Sequence, residues 1–191
     1  MQRLNSVNPE LAVSRTKELL DVFQQTFGVI PNTARVMANS PAVLEGYLSF
    51  SQAMGKAKIG EKLHTQTKLA TSESNACDYC TSFLNAAGPS AGLTPDDILA
   101  GRTASAQDER TDAALKFARA VLEHRGKVTG DQLKAMRDVR FDDAQIVEIV
   151  ASVVLGCFTN FLNNVADTEL DIPRAEAIEA CSTDAACGCS V

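Results

Sequence analysis

The sequence has no excess of basic residues. Lys and Arg number 18 against 24 Asp and Glu, which gives a formal net charge of −6. A chain without a basic stripe cannot neutralise a run of phosphates, so we expect no nucleic-acid partner. The simplest role of the acidic excess is solubility.

The sequence also has no long, uninterrupted hydrophobic run. Its N-terminal segment contains no apolar stretch followed by a small-residue cleavage site, so export is not indicated. The longest strongly apolar stretch extends from Ile146 to Phe158 and is interrupted by Glu148. It is shorter than the ~20 residues needed to cross a bilayer. We therefore expect a cytoplasmic protein without a membrane partner.

Alternating polar and apolar residues between hairpin turns, the pattern of a half-buried strand, are missing as well. Helical spacing and helix-capping residues recur instead, and 45% of the residues are hydrophobic, enough for one continuous core. We predict an all-α, single-domain helical bundle. The helices are expected at about residues 9–26, 41–55, 60–74, 76–87, 95–105, 108–125, 131–138 and 142–167.

The last of these helices is apolar on most sides, so we expect it to run through the centre of the fold. After Pro173 the helical periodicity fades into a small, polar, cysteine-containing segment. We predict a helical domain over residues 1–173 and a flexible, weakly ordered tail over residues 174–191.

The six cysteines are the residues that point to a specific chemistry. Because the cytosol keeps ordinary thiols reduced, six cysteines in one chain suggest redox or metal chemistry and not structural disulfides. Cys77 and Cys80 form a Cys-x-x-Cys pair that would lie on one face of a helix, close enough for a reversible disulfide. If Asn75 is the N-cap, the two thiols occupy the first turns of the helix, where the dipole stabilises a thiolate.

Two other interpretations of the pair stay open. The cysteines could be inert thiols in a helical core, or they could form half of a zinc site. No second Cys-x-x-Cys or His pair has zinc-site spacing, and the helical surroundings do not match the βαβ context of a thioredoxin-like motif.

Three segments resemble one known superfamily. The stretch TSESNACDYCTSFLNAAGPSAGLTPDDI (71–98) is similar to the core of the alkylhydroperoxidase D and carboxymuconolactone decarboxylase superfamily. TFGVIPNTARVMANSPAVLEGYLSF (26–50) and FDDAQIVEIVASVVLGCFTNFLNNVADTELDIP (141–173) are similar to the entry segment and closing helix of its peroxidase-related branch. The resemblance implies the AhpD-like all-helical fold and assembly as a homo-oligomer, a trimer or hexamer.

The resemblance also implies an antioxidant peroxidase with a small hydroperoxide as substrate. Cys80 would attack the peroxide, and Cys77 would resolve the sulfenic acid as a disulfide. No cofactor is expected, because an external dithiol protein would supply the reducing equivalents.

The residues of the family's proton relay are missing from their expected positions. Leu84 replaces a histidine four residues after Cys80, and Thr65 replaces a glutamate twelve residues before Cys77. Loss of an acid and a base could remove roughly 10²–10⁴ in rate. His64 is the first possible substitute base, and Glu73 is a second possible base or orienting group.

The remaining cysteines are divided between the helical domain and the tail. Cys157 lies in an apolar helix and is interpreted as a core residue. Cys181, Cys187 and Cys189 could pass electrons to the Cys77–Cys80 pair, bind a soft metal or metalloid, or have no role.

Two functions other than peroxidase or thiol–disulfide oxidoreductase remain. The first is a thiol-rich metal-binding, metalloid-binding or redox-sensing protein on the same fold, favoured by the missing histidine and the tail cysteines. The second is a lyase related to carboxymuconolactone decarboxylase, which the intact cysteine pair disfavours.

Overall fold

The computed structural model describes residues 1–178, and within that range all the regular secondary structure is helical, without a strand. The predicted all-α class is confirmed. A short helix at residues 32–37 was missed by the sequence prediction, which placed no element between residues 26 and 41. The helices are α1 (Ser14–Phe27), α2 (Asn32–Met37), α3 (Pro41–Met54), α4 (Gly60–Ser74), α5 (Asp78–Ala87), α6 (Pro95–Thr103), α7 (Glu109–Glu123), α8 (Gly130–Asp138) and α9 (Asp143–Ala166), with a 3₁₀ turn at Gly88–Ala91.

Helix α4 occupies the centre, packed against α5, α6, α7 and α9. Many of its buried side chains are polar. Thr71 and Ser72 donate their hydroxyl hydrogen bonds to the carbonyls of Thr67 and Lys68 one turn earlier, so they are buried without an unsatisfied donor. The buried polar residues of α4 are His64, Thr65, Gln66, Thr67, Thr71 and Ser72.

The prediction that the last helix forms the centre is wrong. Helix α9 lies along α4 and also touches α3, α5 and α7, but one of its faces is uncovered. It is long and apolar enough to cross a membrane by composition alone, and it is a packed element of this domain. Its exposed apolar residues are Val147, Val154, Phe158, Phe161 and Val165.

The contact between α4 and α9 is close at one point. A Cβ added to Gly156 would lie 2.9 Å from Cγ2 of Thr71, which is shorter than a normal contact. The two helices approach there because position 156 has no side chain. This contact sets the distance from α4 to the following turns of α9.

After α9 the chain runs back across α5. Leu170 and Ile172 pack on the cluster formed by Cys77, Tyr79 and Cys80. Further along, Arg174 and Ala175 also contact α5. The predicted tail therefore begins with residues that contact the helical domain, and its three cysteines lie outside the described residues.

Candidate functional site

The cysteine pair lies at the start of α5, and its local geometry differs from the prediction. Asn75 ends α4, and Ala76 turns the chain with a left-handed φ of 48°. Cys77 is itself the N-cap of α5: its Sγ accepts a hydrogen bond from the Cys80 backbone N–H at 3.3 Å. The expected Asn75 cap is wrong because the left-handed residue delays the helix start.

The environment makes the two buried thiols unequal. A hydrogen bond from Cys77 is the largest factor lowering the pKa of Cys80, to about 7; burial opposes this shift. The side chain of Asn163 donates a hydrogen bond that favours the Cys80 thiolate. The pKa of Cys77 is raised, first by its hydrogen bond with Cys80 and then by burial. Cys80 is thus the more acidic thiol of the pair.

Amide side chains from α9 surround the pair and are held in place by other amides. Asn163 donates from Nδ2 to the Sγ of Cys80 at 3.2 Å. Asn75 donates to Oδ1 of Asn160 at 3.0 Å, and Asn160 donates to Oγ of Ser72 at 3.1 Å. Asn75 therefore orients a residue that also donates to the thiols.

Cys80 faces a cavity of ≈ 100 Å³ lined largely by aromatic and apolar side chains. Leu84, in the position where the family has histidine, lines this cavity too. Lys68 is the only basic side chain in its lining among residues 1–178. The other lining residues are Phe23, Phe27, Pro31, Thr33, Tyr47, Ser51, Tyr79, Phe83, Thr159 and Asn163.

Two buried polar atoms of this cavity have no hydrogen-bond partner within the described part of the chain. They are Oδ1 of Asn163 and Oγ1 of Thr33. Buried polar atoms are normally paired, but these two have almost no accessible surface and do not open into the cavity, although their residues line it. Asn163 therefore presents its amide donor to Cys80, while its acceptor stays buried without a partner.

Cys77 lines a separate cavity of ≈ 390 Å³. Glu73 lies there and forms an ion pair with Arg102, while Asp78 pairs with Arg174. The structure thus places Glu73 on the side of Cys77, with its carboxylate engaged by an arginine. It is not among the residues that line the cavity at Cys80.

His64 does not lie with the thiols. It is buried, and its Nδ1 is 2.7 Å from Oγ of Ser152. Ser152 donates its own hydroxyl proton to the carbonyl of Glu148, so the imidazole is the donor in that contact. Burial, and then the charge of Lys68, lower the pKa of His64 to about 3. Ser152 lies about two turns of α9 before Thr159, which lines the cavity at Cys80. His64 therefore contacts α9 away from the thiols, and its role as a substitute base is not supported.

Tyr79 ties the site to the segment after α9. Its hydroxyl donates to Oδ1 of Asp171 at 2.8 Å and accepts from the backbone N–H of Thr33 at 3.3 Å. Burial, followed by the bond with Asp171, raises the pKa of Tyr79. It acts as a neutral hydrogen-bonding link between α2, α5 and the C-terminal segment.

Cys157 is half-buried in α9 and receives a weak hydrogen bond from Asn75, 3.6 Å from Nδ2 to Sγ. Thr65, the position of the missing glutamate, is buried in α4. Among residues 1–178 no group of three His, Cys, Asp or Glu residues is arranged to hold a metal ion.

The fold is a helical bundle with a Cys-x-x-Cys pair at the start of one helix. Solved structures match this chain along most of its length. A peroxidase-related protein from Ralstonia eutropha JMP134, described as an alkylhydroperoxidase AhpD core, is 20% identical, with a TM-score of 0.76 over 89% of this chain and 92% of that one. A peroxidase-related protein from Silicibacter sp. TM1040 is 17% identical, with a TM-score of 0.74 over 88% and 94%.

The debrominase Bmp8, in a complex with 2,3,4-tribromopyrrole, is 17% identical, with a TM-score of 0.76 over 90% of this chain and 93% of that one. No family model matches the sequence, and no curated protein is significantly similar to it. The likeness confirms the predicted AhpD-like fold. The debrominase indicates that the fold is used for more than one reaction.

Sequence reasoning missed Lys68, Thr33 and Asn163. No local motif marks them, because they come from α4, α2 and α9 and meet only in the folded chain. A usable signal was the pair of polar residues, Asn160 and Asn163, at helical spacing within an otherwise apolar helix.

Proposed function

We propose that this protein is a thiol-dependent enzyme that reduces a small organic hydroperoxide through the Cys77–Cys80 pair. The observation that carries the proposal is that Cys80, the thiol with the lowered pKa, lines an apolar cavity. A reactive cysteine needs such a combination of thiolate character and access. The cavity size and aromatic lining favour an organic hydroperoxide over hydrogen peroxide.

The reaction has two chemical steps. The Cys80 thiolate attacks the terminal peroxide oxygen, the O–O bond breaks, and the alkoxide leaves as the alcohol after gaining a proton; Cys80 becomes a sulfenic acid. Cys77 then attacks the Cys80 sulfur and water leaves, which forms the disulfide. An external dithiol protein then reduces the Cys77–Cys80 disulfide to two thiols and is itself oxidised to a disulfide.

A side chain in the cavity takes over part of the missing relay. Lys68 lines the cavity and supplies a positive charge and a proton donor for the alkoxide. Lys68→Met is expected to lower the turnover rate at least about tenfold and Lys68→Arg to restore most of it. An unchanged rate and pH profile in Lys68→Met would exclude this role.

Peroxide turnover with dithiothreitol as reductant tests the main proposal. Wild type, Cys80→Ser and Cys77→Ser are compared using tert-butyl hydroperoxide and hydrogen peroxide, with Cys157→Ser as the matched cysteine control. We expect Cys80→Ser to lose turnover, Cys157→Ser to keep it and the organic peroxide to be preferred. Turnover that survives in Cys80→Ser would contradict the proposed mechanism.

Reductive removal of a halide from a small ring is a second candidate, favoured by the aromatic lining and by the debrominase with the same fold. In that reaction the dithiol supplies two electrons: carbon–halogen becomes carbon–hydrogen, halide and a proton are released, and Cys77–Cys80 is oxidised to the disulfide. Bromide release from 2,3,4-tribromopyrrole by the reduced protein would support it, and its absence alongside peroxide turnover would exclude it.

We further infer a soluble, cytoplasmic antioxidant protein that needs no bound cofactor, forms a homo-oligomer and has no nucleic-acid or membrane partner. The non-catalytic alternative, a metal-binding, metalloid-binding or redox-sensing protein, depends on the tail cysteines. It would be favoured by stoichiometric zinc or arsenite binding without turnover of either substrate.

A further inference from the structure

Lys68 brings a positive charge to the cavity at Cys80. It lies on α4, is half-buried, and forms no ion pair with an aspartate or glutamate of residues 1–178. Other lysines pair with an aspartate: Lys17, Lys62, Lys116 and Lys134. The remaining lysines are exposed: Lys56, Lys58 and Lys127. Because burying a charge costs free energy unless it is paired, a bound anion would stabilise Lys68.

The groups around Lys68 leave its ammonium group available. His64, one turn earlier on α4, is neutral at pH 7, since burial and the charge of Lys68 lower its pKa to about 3. Glu73 is the nearest acidic residue along the chain, but it pairs with Arg102 and lines the cavity at Cys77. No aspartate or glutamate of the described chain lines the cavity at Cys80. A ligand can therefore supply the missing negative charge.

The Cys80 thiolate is the other charge that forms in this cavity. It is stabilised first by the hydrogen bond with Cys77, and Asn163 donates a further hydrogen bond to it. These bonds satisfy the thiolate from the protein itself. An anionic substrate meets repulsion from the thiolate and attraction from Lys68, so its access to Cys80 depends on that lysine.

Aromatic rings from two parts of the chain line the same cavity. Phe23 of α1 lies 4.5 Å from Phe27 and 6.3 Å from Tyr47 of α3, measured between ring centroids. Tyr79 and Phe83 of α5 are stacked, with centroids 6.5 Å apart. Such a lining favours an apolar stem. The volume of ≈ 100 Å³ is below the ~150 Å³ that holds benzene, so the stem has only a few carbon atoms.

Burial differs along the lining of this cavity. Cys80 and Leu84 are buried, whereas Phe27 is exposed and Ser51 and Lys68 are half-buried. This gradient suits a ligand whose charged end stays near solvent and whose reacting end reaches the thiol. No arginine of residues 1–178 joins Lys68 in the lining, so the site matches a single negative charge, such as a carboxylate.

We propose that the substrate at Cys80 is a small organic hydroperoxide that carries a carboxylate, and that Lys68 selects it. This inference rests on the peroxidase function proposed above and adds the charge of the substrate. The carboxylate binds the ammonium group, and the peroxide faces the Cys80 sulfur. Attack by the thiolate breaks the O–O bond, and the product is a hydroxy carboxylate once the alkoxide has gained a proton. Three N–H donors let Lys68 bind the carboxylate and still donate to that alkoxide.

The first experiment measures charge selectivity without peroxide turnover. Iodoacetate and iodoacetamide have nearly the same shape and differ by one negative charge. Their rate constants at Cys80 are measured by peptide mapping in the Cys157→Ser background, and their ratio is taken. We expect that ratio to fall at least about fivefold in Lys68→Met and to be kept in Lys68→Arg. A change in the pKa of Cys80 cancels in the ratio, because both reagents react with the same thiolate.

Lys127→Met is the matched control, because it removes an exposed positive charge and is expected to leave the ratio unchanged. The protein has a net charge of −6, so a general attraction of anions is not expected. Circular dichroism checks that each variant is folded, and Lys68→Gln replaces Lys68→Met if the latter is not. Equal ratios in wild type and the folded uncharged variant would overturn the proposal.

The second experiment compares two hydroperoxides with dithiothreitol as reductant. In the first, one methyl group of tert-butyl hydroperoxide is replaced by a carboxymethyl group, and the second is the corresponding amide. We expect kcat/KM to be at least about fivefold higher for the carboxylate in wild type and in Lys127→Met. Lys68→Met is expected to lose this preference, even though its turnover of both compounds falls.

The two experiments separate the failure of this inference from the failure of the proposed function. Equal kcat/KM values in wild type, with turnover that requires Cys80, would overturn the carboxylate substrate and leave the peroxidase function standing. Turnover of neither hydroperoxide would contradict the peroxidase function, and the proposed substrate with it. In that case the ratio of the two alkylation rates still reports whether Lys68 draws anions to Cys80.

Discussion

At the scale of single residues, the site shows how two like side chains three positions apart acquire opposite chemistry. Cys77 is the N-cap and shares a hydrogen bond with Cys80, while Cys80 also receives the amide of Asn163. Both residues are buried, at 1% and 5% exposed, so the difference comes from hydrogen bonds and not from overall burial. The amide partners stabilise a thiolate without adding a competing base.

The first prediction concerns the reactivity of Cys80. Its rate of alkylation by iodoacetamide is expected to rise with pH around a midpoint near 7. Cys77→Ala removes the largest factor lowering that pKa and is expected to slow alkylation at pH 7 by about fivefold or more, because a rise of one pKa unit lowers the thiolate fraction at pH 7 from about one half to about one eleventh. Peptide mapping of the alkylated protein gives the rate.

Asn163→Leu serves as the graded comparison, because it removes a smaller contribution and is expected to produce a smaller slowing. Cys157→Ser leaves these contacts intact and is the control. A midpoint that stays in place in Cys77→Ala would contradict the hydrogen-bond explanation.

His64 provides the second prediction. Its pKa is about 3 in the folded chain, below the 6.5 of an unperturbed histidine, so the unfolded state binds its proton first. The stability contributed by the neutral imidazole is therefore full above pH 6.5 and is lost as the pH falls towards 3. The loss amounts to about 1.4 kcal/mol per pH unit over most of this range.

Urea unfolding between pH 7 and 4 measures this effect. His64→Gln is expected to flatten the pH dependence by that amount. Equal slopes in wild type and His64→Gln would show that His64 is not the titrating group.

At the scale of helices, the pattern of the sequence predicted where elements lie better than how they pack. The bounds of α4 were predicted at residues 60–74 and are observed at Gly60–Ser74, yet its central position was not foreseen. The buried hydroxyls of Thr71 and Ser72 bond to carbonyls of their own helix, and such residues look like surface residues in a hydrophobicity pattern. Conversely, the apolar residues of α9 gave no sign of which face would stay uncovered.

The same limit applies to the site. The Cys-x-x-Cys spacing identified the reactive pair, because both residues come from one helix. The residues that line the cavity with Cys80 come from several helices, so no spacing could reveal them. His64 is next in sequence to the expected relay position, but its side chain contacts Ser152 of α9. Neighbouring residues on a helix face different directions.

The third prediction tests the close contact between α4 and α9. In Gly156→Ala the new methyl group would press on Thr71, and we expect a loss of about 1–3 kcal/mol in the free energy of unfolding. Since α9 carries Thr159, Asn160 and Asn163, alkylation of Cys80 should slow as well.

Gly130→Ala is the matched control. No atom lies within 4 Å of a Cβ at that position, and the change is expected to alter stability by less than about 1 kcal/mol. Chemical denaturation and the alkylation assay are run on both variants. A Gly156→Ala protein as stable as wild type would show that the helices can separate there without cost.

At the scale of the whole molecule, α3 and α9 together present an apolar surface. Val43 and Phe50 of α3 and Val154, Phe158 and Phe161 of α9 are all exposed. Contiguous apolar patches commonly mark interfaces, and the predicted homo-oligomer would cover this one. We propose that a second copy of the chain binds here.

The fourth prediction follows from that surface. Val154→Asp combined with Phe161→Glu is expected to reduce the molar mass, measured by light scattering on a sizing column, towards that of a monomer, because buried charges are costly. Leu99→Glu, at an exposed apolar residue of α6, is expected to have no effect. A monomeric wild type, or an oligomer that survives the double substitution, would contradict the assignment.

Cys80 and Cys77 line separate cavities, and this separation has a consequence for steady-state kinetics. If oxidant and reductant approach through separate cavities, neither can occupy the other's position on the enzyme. Double-reciprocal plots at several reductant concentrations are then expected to be parallel, and to remain parallel at saturating concentrations of either reactant. A single shared entrance would instead make each reactant a competitive inhibitor of the other. The form of the rate law therefore distinguishes two separate cavities from one shared entrance.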